Sequence, residues 1–164
     1  MPEPAEPTPD ELRDTVDYVA ITRLQHAYAD VVTRRAWAEC HDLVLPDAPV
    51  RVDTVTNPVI ALTGPQQVGD FIGAAVERFE FFEFVPLSTN IVLRAGGDPD
   101  RAAARLYICE LRQDAASGHA TQAFGVYQDE YRRVDGRWWF ATRTMFVDLV
   151  GDLSHHLLRE LHAG

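Results

Sequence analysis

The chain has 164 residues, of which 46% are hydrophobic, and its formal net charge is −10. This size and composition predict one domain with a sizeable core, and the negative charge argues against nucleic acid and anionic membranes, because both bind clustered positive charge. All 15 basic residues are arginine, so a lysine Schiff base, a lysine-held pyridoxal phosphate and a P-loop are excluded.

The chain begins with a proline-rich tail and a long helix. Residues 1–9 have neither a basic nor an apolar segment, so we expect a disordered tail rather than a secretory signal, followed by one domain over residues 10–164. Thr8, Pro9 and Glu11 have the pattern of a helix start, and the helix should run to about Arg34. Its expected apolar stripe comprises Val16, Val19, Ala20, Leu24, Ala27, Tyr28 and Val31.

Shorter elements follow, and the strands become longer toward the end of the chain. The patterns predict helices over residues 36–44, 66–79 and 153–161, and strands over residues 50–55, 59–62, 88–95, 102–113, 120–134 and 137–150. Pro86 is expected to interrupt the apolar segment before the third strand. Early helices and later antiparallel strands predict an α+β fold, in which helices pack on a curved sheet and enclose a cavity.

The most informative stretch, residues 124–148, has the pattern of a β-hairpin. Asp135-Gly136 stands between two runs of aromatic and β-branched residues, which is a strong signal for a tight turn. Alternation places Tyr127, Asp129 and Tyr131 on one face of the first strand. A carboxylate between two tyrosines indicates a concave sheet with an acid in a small-molecule pocket.

Asp129 has two interpretations. It is either a pocket acid with a raised pKa, or a structural partner of Arg143. In a plain two-residue hairpin Asp129 faces Thr142 and Arg143 points to the other side. A one-residue bulge at the turn would bring Arg143 to the side of Asp129.

Several short motifs accompany this order of elements: Tyr28-Ala29-Asp30 with Trp37, Pro46-Asp47-Ala48, Thr63-Gly64-Pro65, Thr89-Asn90-Ile91, and the segment from Tyr127 to Trp138. In these features the chain resembles the nuclear transport factor 2-like superfamily, and within it the SnoaL-like polyketide cyclase and ketosteroid isomerase-type group. The resemblance implies a cone-like, cystatin-like α+β barrel, in which a curved sheet wraps around N-terminal helices.

Ketosteroid isomerases of this superfamily use a tyrosine on the first helix, an aspartate near the end of the first strand and a protonated aspartic acid on a late strand. The resemblance implies Tyr28, Asp53 and Asp129 in these roles, although Asp53 is one residue out of register. A dehydratase of the scytalone type is disfavoured, because its aspartate falls at Thr33 and its histidines fall near Leu87 and Leu111. The residues expected to bind substrate are Tyr127, Trp37, His41, Phe82, Glu110 and Phe146.

These residues favour a cofactor-independent enzyme of acid–base chemistry, an isomerase, cyclase or dehydratase, acting on a small apolar oxygenated metabolite such as a polyketide-like ketone. Two alternatives stay open: a non-catalytic ligand-binding or assembly module, and epoxide opening. Exposed aromatic residues predict a homodimer through the outer sheet face. Cys40 and Cys109 are expected to be buried thiols in a reducing cytoplasm, and no metal or organic cofactor is expected.

Overall fold

The computed structural model describes residues 6–54 and 57–148. The helices are α1 (Pro9–Arg34) and α2 (Gly64–Val76), with short 3-10 helices at Trp37–Asp42 and Ala95–Gly97. The strands are β1 (Pro49–Asp53), β2 (Ile60–Thr63), β3 (Phe79–Leu93), β4 (Arg101–Asp114), β5 (Ala120–Val134) and β6 (Arg137–Asp148). The predicted C-terminal helix and part of the N-terminal tail lie outside the described residues.

The described strands form a six-stranded mixed sheet in the order β2-β1-β6-β5-β4-β3. Only the β1–β6 pair is parallel among these neighbours, and the long strands β3 to β6 form an antiparallel meander. The predicted α+β fold is therefore confirmed.

Two helix predictions need correction: residues 37–42 form a 3-10 helix rather than an α-helix, and Phe79 begins β3 instead of ending α2. No described helix combines the length and the apolar character that a membrane span requires.

The long helix α1 starts at the predicted cap, where Thr8 and Glu11 form a reciprocal capping box. The predicted stripe is wrong in its first half, since Val16 and Val19 are 66% and 42% exposed. The helix buries Asp17 there, because this carboxylate accepts hydrogen bonds from the Trp138 indole and the Arg133 guanidinium. A polar residue with fixed partners therefore rotates the buried face away from the two valines.

The connection between β2 and α2 explains the Thr63-Gly64-Pro65 motif. Gly64 has a φ of +71°, and its N–H donates to the carbonyl of Ala48 at 2.9 Å. A Cβ atom at this position would overlap the carbonyl oxygen of Pro46. Only glycine combines this conformation with so close an approach of two backbone segments.

Pro86 does not interrupt the sheet as predicted, and β3 runs through it. The strand lies at the edge of the described sheet, where a missing N–H removes no hydrogen bond from a neighbour. The pairing with β4 shifts between Pro86 and Ser88, and this bulge leaves Leu87 exposed.

The β5–β6 hairpin turns at Asp135 and Gly136, both with positive φ, as the sequence predicts. Its register shifts by one residue between Glu130 and Tyr131, so the bulge lies at Ala141 on β6 and not at the turn. The strict alternation expected along β6 is therefore wrong beyond the bulge, and Arg143 lies directly opposite Asp129.

Candidate active site

A cavity of about 200 Å³ lies between the helices and the concave face of the sheet. Its volume is below the roughly 300 to 1,000 Å³ of typical ligand pockets, which favours a small molecule. The wall is mainly apolar, and its aromatic and aliphatic part includes Val52, Phe71, Phe82, Phe84, Met145 and Val147.

The charged part of the wall comes from β4 and from the segment after α2. Glu110 and Arg112 are two residues apart on β4, so their side chains share the inner face. They pair across the strands with Phe84 and Phe82 of β3, which also line the cavity. Arg78 adds a second guanidinium where the wall meets solvent.

Glu110 and Arg112 form a buried ion pair, each only 9% exposed. The Arg112 Nη2 donates to Glu110 Oε2, while Glu110 Oε1 has no hydrogen-bond partner within the described chain. The Arg112 Nε is buried and also has no partner there. The pair therefore keeps one carboxylate oxygen and one guanidinium donor available to a ligand.

Two tyrosines supply the neutral polar groups of the wall. Tyr28 projects from α1 and Tyr127 from β5, and burial raises the pKa of both phenols, so both stay protonated at neutral pH. The Tyr127 hydroxyl makes no hydrogen bond to another described residue, and it can donate to an oxygen atom of a bound molecule.

Asp129 does not line this cavity but lies behind the tyrosines. Its oxygens accept hydrogen bonds from Arg143 Nε at 2.7 Å and Nη2 at 2.8 Å. Tyr131 donates to the same carboxylate at 2.9 Å and accepts from Gln25 at 2.8 Å. The Arg143 guanidinium contacts the Tyr28 ring, 4.2 Å from its centroid. The structure thus makes Asp129 the partner of Arg143, beneath the tyrosines of the cavity wall.

Asp53 is not brought together with Tyr28 and Asp129. Val52 and Thr54 line the cavity, so the side chain between them points to the opposite face of the sheet. There Asp53 forms an ion pair with Arg51 at 3.4 Å. Asp53 is one residue away from the expected position of the base, and this displacement turns its side chain to the face of the sheet opposite the cavity.

The other predicted binding residues divide between the cavity and its surroundings. Phe82 and Glu110 line the cavity. Trp37 packs against Gly69 and Gly73 of α2, while His41 is exposed near Gln66. Phe146 pairs with Asp53 in the sheet and points to the outer face.

Sequence reasoning missed Arg112, Arg78 and the contribution of α2. The signal for Arg112 was present, because a strand that places Glu110 inward places Arg112 inward as well. The described residues contain no cluster of three or more histidine, cysteine or acidic side chains that could hold a metal ion. Cys40 and Cys109 are free and buried.

A family model described as a SnoaL-like domain matches residues 13–144. No curated protein sequence matches the chain significantly. Among solved structures, hexachlorocyclohexane dehydrochlorinase LinA-type3 from Novosphingobium barchaimii is similar, at 19% identity, with 88% of this chain and 94% of that chain covered and a TM-score of 0.73. A putative scytalone dehydratase from Novosphingobium aromaticivorans shows 18% identity, coverage of 87% and 91%, and a TM-score of 0.71.

A protein from the same organism, described as nuclear transport factor 2-like with a cystatin-like fold, shows 17% identity. The alignment covers 92% of each chain and its TM-score is 0.71. At these identities the likeness demonstrates a shared fold, and the chemistry has to be argued from the cavity.

Proposed function

Because this chain belongs to the SnoaL-like family of the nuclear transport factor 2-like superfamily, we propose that it is a cofactor-independent enzyme that removes a proton next to a carbonyl group in a small, largely apolar molecule. The observation that carries the proposal is the buried Glu110 carboxylate, which lies in the wall of an apolar cavity with one oxygen free of described partners. A polyketide-like ketone is the substrate class that suits this wall.

Glu110 is the proposed general base. Arg112 holds Oε2, which leaves Oε1 to take the proton from carbon. The electron pair of the C–H bond moves to the carbonyl oxygen and produces an enolate. Tyr127, a neutral phenol at the wall, donates a hydrogen bond to this oxygen, and Tyr28 is a second candidate donor.

The enolate can react in three ways, and in each of them the protons and electron pairs balance without a cofactor. Protonated Glu110 returns the proton to another carbon in an isomerisation. In a dehydration the enolate expels a hydroxyl group from the neighbouring carbon, and the proton accompanies it as water. In a cyclisation the enolate carbon attacks a second carbonyl of the same molecule, and the new alkoxide takes the proton.

This proposal assigns the base to Glu110 instead of Asp53 and gives Asp129 a positioning role. Asp53 lies on the opposite face of the sheet, while both oxygens of Asp129 are occupied by Arg143 and Tyr131. An acid in that position holds its neighbours in place, and contact with substrate is left to the tyrosines above it.

Exchange of hydrogen for deuterium tests the first step without knowledge of the natural substrate. Small cyclic ketones such as indanone and tetralone are incubated with the protein in deuterium oxide, and proton NMR follows loss of the signal next to the carbonyl. We expect exchange above the buffer rate, and Glu110→Gln should lower it by about 100-fold or more. Glu83→Gln, on the outer face of β3, is the matched control and should exchange like the wild type.

A non-catalytic ligand-binding module is the second candidate, and the closed Glu110–Arg112 pair favours it because the pair can hold a ligand without chemistry. In that case ketones bind and exchange stays at the buffer rate for the wild type and Glu110→Gln alike. Such a result would exclude the proposed proton abstraction for these ketones.

A further inference from the structure

The charge of the cavity wall differs in sign from that of the chain. Arg78 and Arg112 line it against the single carboxylate of Glu110, whereas the whole chain carries a formal charge of −10. An excess of positive charge in the wall of a largely apolar cavity calls for a negative partner.

Arg112 still has hydrogen-bonding capacity after its contact with Glu110. A guanidinium carries five N–H donors, and the described chain provides one acceptor, Glu110 Oε2. The Nε is buried without a partner, and the side chain as a whole is about nine-tenths buried. Buried donors are normally satisfied, so this N–H is available to an acceptor on a molecule in the cavity.

Arg78 is the second cation and stands at the solvent end of the wall. Its guanidinium lies 4.8 Å from the centroid of the Phe79 ring, and that of Arg112 lies 5.7 Å from the same centroid. Arg78 forms no ion pair with a described residue. The nearby carboxylate of Asp114 interacts electrostatically with Arg78, but its hydrogen bonds come from Ser117 and Ala116.

We propose that the natural substrate carries a carboxylate, which binds to Arg78 and Arg112 beside Phe79 while its apolar body fills the aromatic part of the cavity. This inference rests on the proposed function and names the substrate class for the same site. Planar guanidinium groups match the two oxygens of a carboxylate, and the burial of Arg112 strengthens its share of the interaction. The small volume limits the substrate to a compact acid.

Isothermal titration calorimetry with trans-cinnamate and the neutral cinnamamide tests the proposal, since the two differ in charge and hardly in shape. We expect the carboxylate to bind the wild type about tenfold more tightly than the amide. Arg78→Met should remove most of this preference. Arg23→Met, which removes one positive charge from an exposed position of α1, should leave it unchanged.

The proposal is overturned if the amide binds as tightly as the carboxylate, if cinnamate fails to bind at millimolar concentration, or if Arg78→Met and Arg23→Met behave alike. These results are independent of turnover. Carboxylate preference without ketone exchange would refute the proposed enzyme and leave the anion site standing. Ketone exchange without a preference for the carboxylate would refute the anion site and leave the proposed enzyme standing.

Discussion

Arg143 and Asp129 lie opposite each other on β6 and β5 and share two short hydrogen bonds, while the sheet and α1 leave them only 3% and 2% exposed. The guanidinium also contacts the rings of Tyr28 and Tyr127. Desolvation makes a buried ion pair a weak source of net stability. We therefore infer that its main effect is to hold the two tyrosines in the cavity wall.

Replacement of Asp129 by asparagine should destabilise the fold strongly. The variant keeps the shape of the side chain but leaves the buried Arg143 without its counter-charge, and loss of one partner of such a pair costs about 3 to 5 kcal/mol. Urea unfolding at neutral pH measures the change. Glu130→Gln is the control, because that neighbour is exposed and pairs with Arg101 at the surface, so the midpoint should hardly move.

The same variant separates the two interpretations of Asp129. A protein that unfolds like the wild type but no longer exchanges ketone protons would show that the carboxylate acts on the substrate. Loss of stability with residual exchange in the folded fraction would support the positioning role.

Tyr127→Phe tests the proposed donor to the enolate oxygen. Loss of one hydrogen bond to a developing oxyanion typically slows turnover about 100-fold or more. Ketone exchange should fall by this order, with little change in ketone affinity, because the oxygen becomes strongly basic only as the proton leaves. Tyr107→Phe, on the outer face of β4, should exchange normally. Equal rates for Tyr127→Phe and the wild type would remove this phenol from the mechanism.

Gly64→Ala isolates the close approach that fixes α2 above the cavity. Gly64 and Gly96 both have positive φ, +71° and +67°, but only Gly64 faces a backbone atom that a Cβ would overlap. Gly96→Ala should cost about 1 to 2 kcal/mol from conformation alone. Gly64→Ala should cost a further 1 to 3 kcal/mol, roughly, from overpacking. Equal unfolding midpoints in urea for the two variants would show that the contact with Pro46 relaxes freely.

Local signals in the sequence predicted much of this fold. The cap at Thr8 and the turn at Asp135-Gly136 depend on neighbouring residues, so a short window contains their cause. The bulge at Ala141 had no such local signal, and it lies beside a tertiary contact. Next to it, the N–H of Phe140 donates to the carbonyl of Leu43 and its C=O accepts from the N–H of Leu45, so the partner on this side of β6 comes from a segment about 95 residues earlier, which no local window contains.

The sequence predicted the candidate site only in part, because local patterns do not contain its tertiary contacts. Alternation groups Tyr127 with Asp129, but it does not say which of two faces is concave, so the side of Glu110 stayed open. The pairing of Glu110 with Ala123 places it on the Tyr127 side of the sheet. The position of Arg78 depends on how α2 packs over the sheet, and no local pattern contains that orientation.

Buried phenols predict that the protein loses stability in alkaline solution. Burial raises the pKa of Tyr28, Tyr127 and Tyr131, so the folded chain keeps protons that an unfolded chain releases near pH 10. Their contribution is fully present below about pH 10 and is lost as the pH rises further, by up to about 1.4 kcal/mol per pH unit for each tyrosine. Burial also raises the pKa of the Cys40 thiol, which adds a loss of the same sign from about pH 8.5.

Urea midpoints between about pH 8 and pH 11 measure this slope. Tyr131→Phe should make it shallower, whereas Tyr18→Phe, which removes an exposed phenol of α1, should not. A stability that stays constant up to about pH 11 would contradict the buried, protonated state of these tyrosines.

The outer face of the sheet is the surface through which we propose that two copies associate. Phe81, Val92 and Phe124 are large exposed apolar residues of its strands, and such groups on one sheet face favour an interface. Sedimentation equilibrium should give a dimer for the wild type and a monomer for Phe124→Glu, because an unpaired carboxylate in an apolar interface is strongly unfavourable. Leu12→Glu, at an exposed position of α1, should stay dimeric. A wild type that sediments as a monomer at tens of micromolar would exclude this interface, and a dimer that survives Phe124→Glu would place it on another surface.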